Sequence, residues 1–317
     1  MQPLVSIIIP NYNEERFIAN TIESALNQTY SSIEILIVDD GSTDQSLEIV
    51  RKYESENDNV IVFCQENANA SIARNRAIEH AKGKYYYFLD SDDIVYPNSI
   101  ELMVSEMERN AADLVIGNMD EIDVDNEVIN TLRFFEKNGV SNEFSDFLKV
   151  MPAPPNKLFR ADIVKNQHVY FGNVNIGQDT NFFLKYLLCC RTIAYTDKIL
   201  YGWRHVPTSM THAMDFHIFD IVNSFKNTKK FYHQKGADDV YNDYIKMVEF
   251  HTYYRQMDKQ RKFKTLKERL LVTDYFSFHI KQLGDLSNCR NYELYKQDVI
   301  KCNMKMKMRL AYAIQKR

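Results

Sequence analysis

What the chain lacks narrows it quickly. No apolar run approaches the length needed to cross a bilayer, and the first one, Leu4–Ile9, is short and ends at Pro10, so neither a spanning helix nor a secretory signal is expected. Basic residues are not in excess: 39 Lys and Arg stand against 43 Asp and Glu, a formal net charge of −4, which argues against a dedicated nucleic-acid binder. The cysteines (Cys64, Cys189, Cys190, Cys289, Cys302) are odd in number and nowhere spaced C-x-x-C, which argues against a structural metal site. Adjacent Cys189 and Cys190 suit buried thiols, and a reducing cytoplasm is the expected compartment. Repeats, low-complexity tracts and Pro/Gly-rich linkers are missing. So are G-x-G-x-x-G and any Gly-rich phosphate loop: after the first apolar run stands Pro10-Asn11-Tyr12-Asn13, against a dinucleotide oxidoreductase or a nucleotidyltransferase.

What is present is an ordinary apolar content of 45% and an abundance of Tyr (20) and Phe (19). The first 120 residues alternate β-rich runs with helical patterns. Strands are expected at Leu4–Ile9, Ile33–Val38, Val60–Phe63, Lys84–Leu89 and Asp113–Gly117, apolar enough for burial on both faces of a mostly parallel sheet. Helices are expected over Glu14–Gln28, from a Ser42/Gln45 capping box through Tyr53, and over Ser71–Lys82 with Gly83 closing it. This alternation gives an α/β fold, an open sheet flanked by helices, and ligands bind such sheets beyond the carboxyl ends of the strands. Pro10–Asn13, Asp39–Ser42 and Asp90–Asp92 all fall there.

The stretch 121–215 mixes strands (Glu127–Phe135, Thr192–Tyr195, Ile199–Arg204) with short helices (Glu143–Val150, Asp179–Leu188). From about Asp215 the pattern turns to helices rich in Phe, Tyr, Lys and His. The expected division is therefore an α/β domain at 1–215 and a helical region at 216–317, joined by a change of packing rather than a flexible linker.

The densest chemistry is in Tyr85-Tyr86-Tyr87-Phe88-Leu89-Asp90-Ser91-Asp92-Asp93. Neighbouring carboxylates at the end of an apolar strand repel one another and resist desolvation, a conflict that a divalent cation resolves. Magnesium or manganese takes one or two carboxylates plus substrate phosphate. The competing explanation is an Asp-rich turn before a helix with Pro97 in its first turn.

Four segments together, Val5–Glu14, Ile37–Asp44, Ala73-Arg74-Asn75 and Leu89–Asp93, closely resemble the family 2 glycosyltransferases of bacterial surface-polysaccharide type. The likeness covers residues 4–96 strongly, continues loosely to about 212, and implies a GT-A (Rossmann-like) fold and a nucleoside-diphosphate-sugar donor, usually a UDP-sugar. On that likeness Pro10, Tyr12 and Glu14 belong to the donor loop, Asp40 accepts from the uracil imide, and Arg74 sits against the nucleotide. An acceptor-only carboxylate suits a lone N–H donor, although Asp39-Asp40-Gly41-Ser42 also reads as a turn and helix cap. Asn69 stands where the family often has glycine, and asparagine tolerates that backbone. Asp92 and Asp90 become the metal pair, with Asp93 a further candidate and Ser91 beside the donor.

Gly177-Gln178-Asp179 occupies the place of the family's Glu-Asp catalytic pair, with Gln178 a departure and Asp179 the implied base. An N-cap is the plainer reading of Asp179. In Tyr201–Ser209 the likeness implies a stretch closing over the donor through Arg204, His205 and Ser209, against an ordinary surface loop; Trp203 reads as a sugar platform or as core. Lys157 matches a recurring family lysine, and His168, His212 and His217 show no metal spacing. The tail beyond Asp298 interleaves Lys301, Lys305, Lys307, Arg309, Lys316 and Arg317 with Met and Leu. It fits either an anionic lipid surface, at about 1 kcal/mol per basic residue, or a solvated helix packing its Met side inward. The implied activity is an inverting hexosyl- or N-acetylhexosaminyltransferase acting once per encounter on a glycan or lipid-linked acceptor. It would be cytoplasmic or peripheral at the inner membrane face, and able to self-associate. The alternative is a non-catalytic sugar-nucleotide or glycan-binding module on the same fold, to which Gln178 lends support.

Overall fold

The structure is a computed structural model that describes residues 2–206 and 216–315. The chain divides into two compact units, Met1–Ala213 and Met214–Arg317. In the first, the described residues form a ten-stranded sheet: β1 (Val5–Asn11), β2 (Ile33–Asp39), β3 (Val60–Cys64), β4 (Tyr85–Phe88), β5 (Ile94–Val95), β6 (Leu114–Ile122), β7 (Val128–Leu132), β8 (Gly139–Ser141), β9 (Lys157–Arg160) and β10 (Ile193–Arg204). Its order is β3-β2-β1-β4-β9-β6-β10-β5, with β7 on β6 and β8 on β10. The run β3-β2-β1-β4 is parallel, as is the β6–β10 pair; β9 lies antiparallel between β4 and β6. Every residue of β1 and β2 is buried, as continuous apolar strands covered on both faces require.

The helices of this unit are α1 (Ile18–Leu26), α2 (Ser46–Glu56), α3 (Ala70–His80), α4 (Ser99–Asn110), α5 (Ala161–Asn166) and α6 (Gln178–Cys189). One face of the sheet carries Ile7, Ile9, Ile35, Ile37, Tyr87 and Leu89 into a continuous core with Ile18, Ile22 and Ala25 of α1. On the other face Phe88 meets Phe159, Phe171 and Phe182 edge-on at 5.3–5.5 Å between ring centroids, and Phe171 stacks on Phe182 at 4.1 Å. That cluster fixes α6 against β4, two residues before Asp90.

Three local expectations are corrected. The Ser42/Gln45 capping box does not form: α2 starts at Ser46 without a side-chain cap, because the Ser42 hydroxyl donates to Asp39 Oδ1 at 2.6 Å. Gly83 does not close α3, which ends at His80 with Ala81 extended; a Cβ at Gly83 would lie 2.6 Å from the Ser6 backbone nitrogen, so the glycine serves a close strand approach. Thr192–Tyr195 and Ile199–Arg204 are one strand, β10, whose register slips against β6 between Tyr195 and Ile199 and again before Tyr201. Trp203 is half-buried and packs on the core, its ring 4.8 Å from that of His205.

The second unit is helical: α7 (Asp220–Gln234), the short α8 (Asp238–Val240), a π-helical turn (Tyr241–Ile245), α9 (Lys246–Asp258), α10 (Leu266–Gln282) and α11 (Tyr292–Gln315). Phe225, Tyr232, Tyr253 and Phe276 are in its core, and the Tyr241 and Tyr253 hydroxyls both donate to Glu249. A Thr265/Glu268 capping box opens α10. Among the described residues no helix is long and apolar enough to cross a membrane, and all five cysteines are free.

Candidate active site

The C-terminal ends of β1, β2 and β4 open on a cavity of about 510 Å³ lined by Pro10, Asn11, Tyr12, Glu14, Asp40, Asn67–Ala70, Ala73, Arg74, Asp90, Ser91, Asp92, Asn175, Gln178, Asp179 and Val206. Of the residues singled out in the sequence, Pro10, Tyr12, Glu14, Asp40, Arg74, Asp90, Ser91, Asp92 and Asp179 share this one hollow. Arg204 and His205 are not in its wall, and Ser209 lies outside the described residues.

The rim is built from two interlaced loops. Asn13, in left-handed conformation, accepts from Thr43 N at 2.8 Å and donates its own N–H to Ser42 Oγ at 3.0 Å. Glu15 accepts from Gln45 N, while Asp44 accepts from Glu15 N. Asp39 is consumed by this scaffold, accepting from Asn11 Nδ2 (2.8 Å) and from the Ser42 amide and hydroxyl. Asp40 instead faces the cavity, its Oδ1 taking bonds from Gln65 Nε2 (2.7 Å) and Ala68 N (2.9 Å). Gly41 is required beside it: φ is +76°, and a Cβ there would meet Asn67 N at 2.9 Å. Asn69 keeps φ at 146° and caps α3 by accepting from Ile72 N.

Arg74, on α3, is the electrostatic centre. Its buried guanidinium donates to Asp90 Oδ1 at 2.6 Å and to Asp179 Oδ1 at 3.3 Å. Burial alone would lower it, but Asp90 and Asp179 outweigh that and raise its pKa. Arg76 points away and donates to Cys64 O. Asp179 sits in the first turn of α6, capped at Gly177 with no side-chain bond, so the N-cap reading of Asp179 is set aside. Burial, with a contribution from Asp90, pushes its carboxyl up to about 6 against the opposing pull of Arg74 and Lys157.

Asp92 is pushed up to about 6 by burial and by Asp90, and Glu14 up to about 7 by burial, Asp92 and Asp44. Among the described residues no side chain is bonded to the Asp92 carboxylate, and no group of three or more His, Cys, Asp or Glu is placed to hold a metal ion by itself. The Asp92 carboxylate beside Asp90, one oxygen of which is taken by Arg74, with room for phosphate oxygens, nevertheless matches the donor set of magnesium or manganese.

The remaining acid is structural. Asp93 is fully enclosed, raised by burial and by its acidic neighbours, and held by the Tyr201 hydroxyl and by Arg204 N at 2.6 Å. The Arg204 side chain ties down the same turn from behind, donating to Asp92 O (2.6 Å), Asp123 O and Asn20 Oδ1 with its guanidinium over the Phe17 ring. Thr21 Oγ1, on α1, bonds to the carbonyls of Ser91 and Asp93. His205 pairs with Glu121 at 3.2 Å. Lys157, drawn down to about 7 by burial, gathers Met151 O, Ala153 O and Asn156 Oδ1. Sequence reasoning missed Thr21, Tyr201 and the amide wall of Asn67 and Asn175; nothing in their spacing marks them, since each acts only once the sheet is assembled.

The profile described as "Glycosyl transferase family 2" matches residues 6–168. The chain is 32% identical over 235 residues to the uncharacterized glycosyltransferase EpsJ of Bacillus subtilis (strain 168), covering 69% of this chain and 67% of that protein. It is 44% identical over 119 residues to glycosyltransferase GlyG of Streptococcus pneumoniae serotype 4, covering 37% of this chain and only 40% of that relative. The crystal structure of S. aureus TarS 1–349 in complex with UDP-GlcNAc superposes with a TM-score of 0.72 at 19% identity, covering 93% of this chain and 91% of that one.

Proposed function

The chain belongs to glycosyl transferase family 2, and on that premise we propose that it is an inverting glycosyltransferase moving one sugar from a UDP-sugar to a hydroxyl of a glycan or lipid-linked acceptor. The observation that carries this reading is the meeting of Asp40, Asp90, Asp92 and Asp179 around Arg74 in one cavity. A fold shared with a protein that binds UDP-GlcNAc supports a UDP-sugar as the first donor to try.

In this mechanism Tyr12 lines the uracil, and the oxygen of Asp40 not held by Gln65 and Ala68 accepts from the imide N–H. Asp92 and Asp90 would hold magnesium or manganese, which supplies Lewis-acid stabilisation of the departing diphosphate. Asp179 takes the proton of the acceptor hydroxyl as its oxygen bonds to the anomeric carbon. The bond from that carbon to the diphosphate breaks on the opposite face, and its electron pair leaves on the diphosphate oxygen, so an α-linked donor gives a β-linked product. Raised to about 6, Asp179 is nearer the ideal for a base at neutral pH than a free carboxylate, yet still ionised there. Arg204 serves by holding the acid turn in place. The first unit is the catalytic domain in this reading. The helical unit serves the acceptor side, self-association or contact with anionic lipid, which vesicle sedimentation and light scattering of the full chain separate.

The test is UDP release with candidate UDP-sugars and acceptors. It should fall by about 10³-fold or more in Asp179→Asn, which also excludes a non-catalytic binding module. Calorimetry should find uracil nucleotides preferred over adenine, a preference lost in Asp40→Ala, and metal dependence lost in Asp92→Ala. Equal affinity for uracil and adenine nucleotides would overturn the assignment.

A further inference from the structure

Helix α3 is stitched to the segment that delivers the proposed base. Asn75 and Phe171 exchange two bonds, Asn75 Nδ2 to Phe171 O (3.0 Å) and Phe171 N to Asn75 Oδ1 (2.9 Å). Asn69 Nδ2 donates to Asn173 Oδ1 at 2.9 Å, and Arg74 donates to Asp179. Within this ladder the hydroxyl of Ser71, a fully buried residue, donates to Gln178 Oε1 at 2.5 Å. The oxygen of the Gln178 amide is thereby turned to the helix, and what Gln178 offers the cavity it lines is its N–H₂ group.

The wall also carries the side-chain amides of Asn67, Asn69 and Asn175; what sets Gln178 apart is that it adjoins Asp179 in the chain. The acids around it, Asp90, Asp92 and Asp179, only accept when ionised, so they read hydroxyl protons. The N–H groups of Arg74 already face Asp90 and Asp179. A sugar hydroxyl donates as well as accepts and is satisfied beside any of these acids. An acyl carbonyl or a carboxylate oxygen only accepts, and is repelled by every acid on the wall. Next to Asp179, the Gln178 amide is where such an oxygen finds a partner.

Resting on the reading of this cavity as a UDP-sugar site, we propose that Gln178 is a specificity-determining residue that donates to an acceptor-only oxygen of the transferred sugar, so that the donor is an N-acylamino sugar or a uronic acid rather than a plain hexose. The two sources share one chemistry, and the donors tested separate them.

The experiment compares kcat/KM for UDP-N-acetylhexosamine, UDP-hexuronate and UDP-hexose, with calorimetric affinity for UDP alone as the control. The wild-type chain should favour one of the first two over the hexose by about tenfold, the worth of one well-made hydrogen bond plus an avoided unpaired group. Gln178→Glu puts an acceptor where the donor was, and should erase or reverse that preference while leaving UDP affinity intact. Ser71→Ala frees the amide to turn and should reduce the preference by about three- to tenfold, a change that loss of packing alone would not confine to one donor. Efficient use of the plain hexose by the wild type overturns the proposal and leaves the UDP-sugar assignment standing; so does an unchanged preference in both variants. Failure of the wild-type chain to bind UDP overturns both.

Discussion

At the scale of single residues, the site turns on how charge is shared among groups whose neighbours the sequence does not reveal. Asp39 and Asp40 are adjacent and chemically identical, yet Asn11 and Ser42 absorb the first and leave the second facing the cavity. Arg204 is legible as a cation near the donor, but its guanidinium is spent on backbone carbonyls behind the acid turn. Arg74 shows the reverse: a helix arginine that would ordinarily be solvated is buried between two carboxylates. A pH dependence follows. The base must be ionised, so kcat/KM should rise with pH through an acidic limb near 6, the value to which burial pushes Asp179. Arg74 opposes that rise in pKa. Arg74→Lys puts a compact ammonium where a fork spanned two carboxylates, so the limb should move to higher pH. A limb that stays put in Arg74→Lys would remove Asp179 from the role of base.

At the scale of elements, the parallel half of the sheet was readable because double-sided burial leaves uninterrupted apolar runs, as in Ile7-Ile8-Ile9 and Ile35-Leu36-Ile37. β9 was not readable: Lys157-Leu158-Phe159-Arg160 is only four residues long and enters the sheet antiparallel, between strands far from it in sequence. The start of α6 matters most for chemistry, and it is placed by aromatic packing rather than by a cap. Phe182 touches Phe88, Phe159 and Phe171, one turn beyond Asp179. Phe182→Ala should therefore cost about 3–5 kcal/mol of stability, by thermal or denaturant unfolding. It should also lower kcat more than UDP affinity, because Asp179 loses its support while the Asp40 end does not. Equal losses in both would mean that α6 does not position the base.

For the whole molecule, the sequence marks the passage from sheet to helices near residue 215, and the chain divides into two compact units, Met1–Ala213 and Met214–Arg317. It does not reveal the collective electrostatic strain of the first unit. Asp92 and Asp179 titrate near 6 and Glu14 near 7, above ordinary values of 3.8 and 4.5. The folded chain thus keeps protons that the unfolded chain has released, and stability from these groups falls as pH rises from about 4 to about 7. With screening at these part-exposed side chains, the loss is on the order of 2–4 kcal/mol in all. Half-buried acids held down by hydrogen bonds against the opposing effect of burial, such as Asp44 and Glu54, act in the opposite sense, so the informative quantity is a difference. The gap in Tm between Asp92→Asn and wild type should widen from pH 5 to pH 7.5 and close when manganese and UDP are added to the wild type. A gap independent of pH would show that Asp92 carries no such burden.

The bonds running both ways between residues 13–15 and 42–45 make those two turns a single object. Chimeras exchanging the first turn alone with a relative should misregister, whereas a paired transplant of both should be accepted. In natural sequences the two should accordingly drift together, a coupled hereditary unit stored at distant places in the chain.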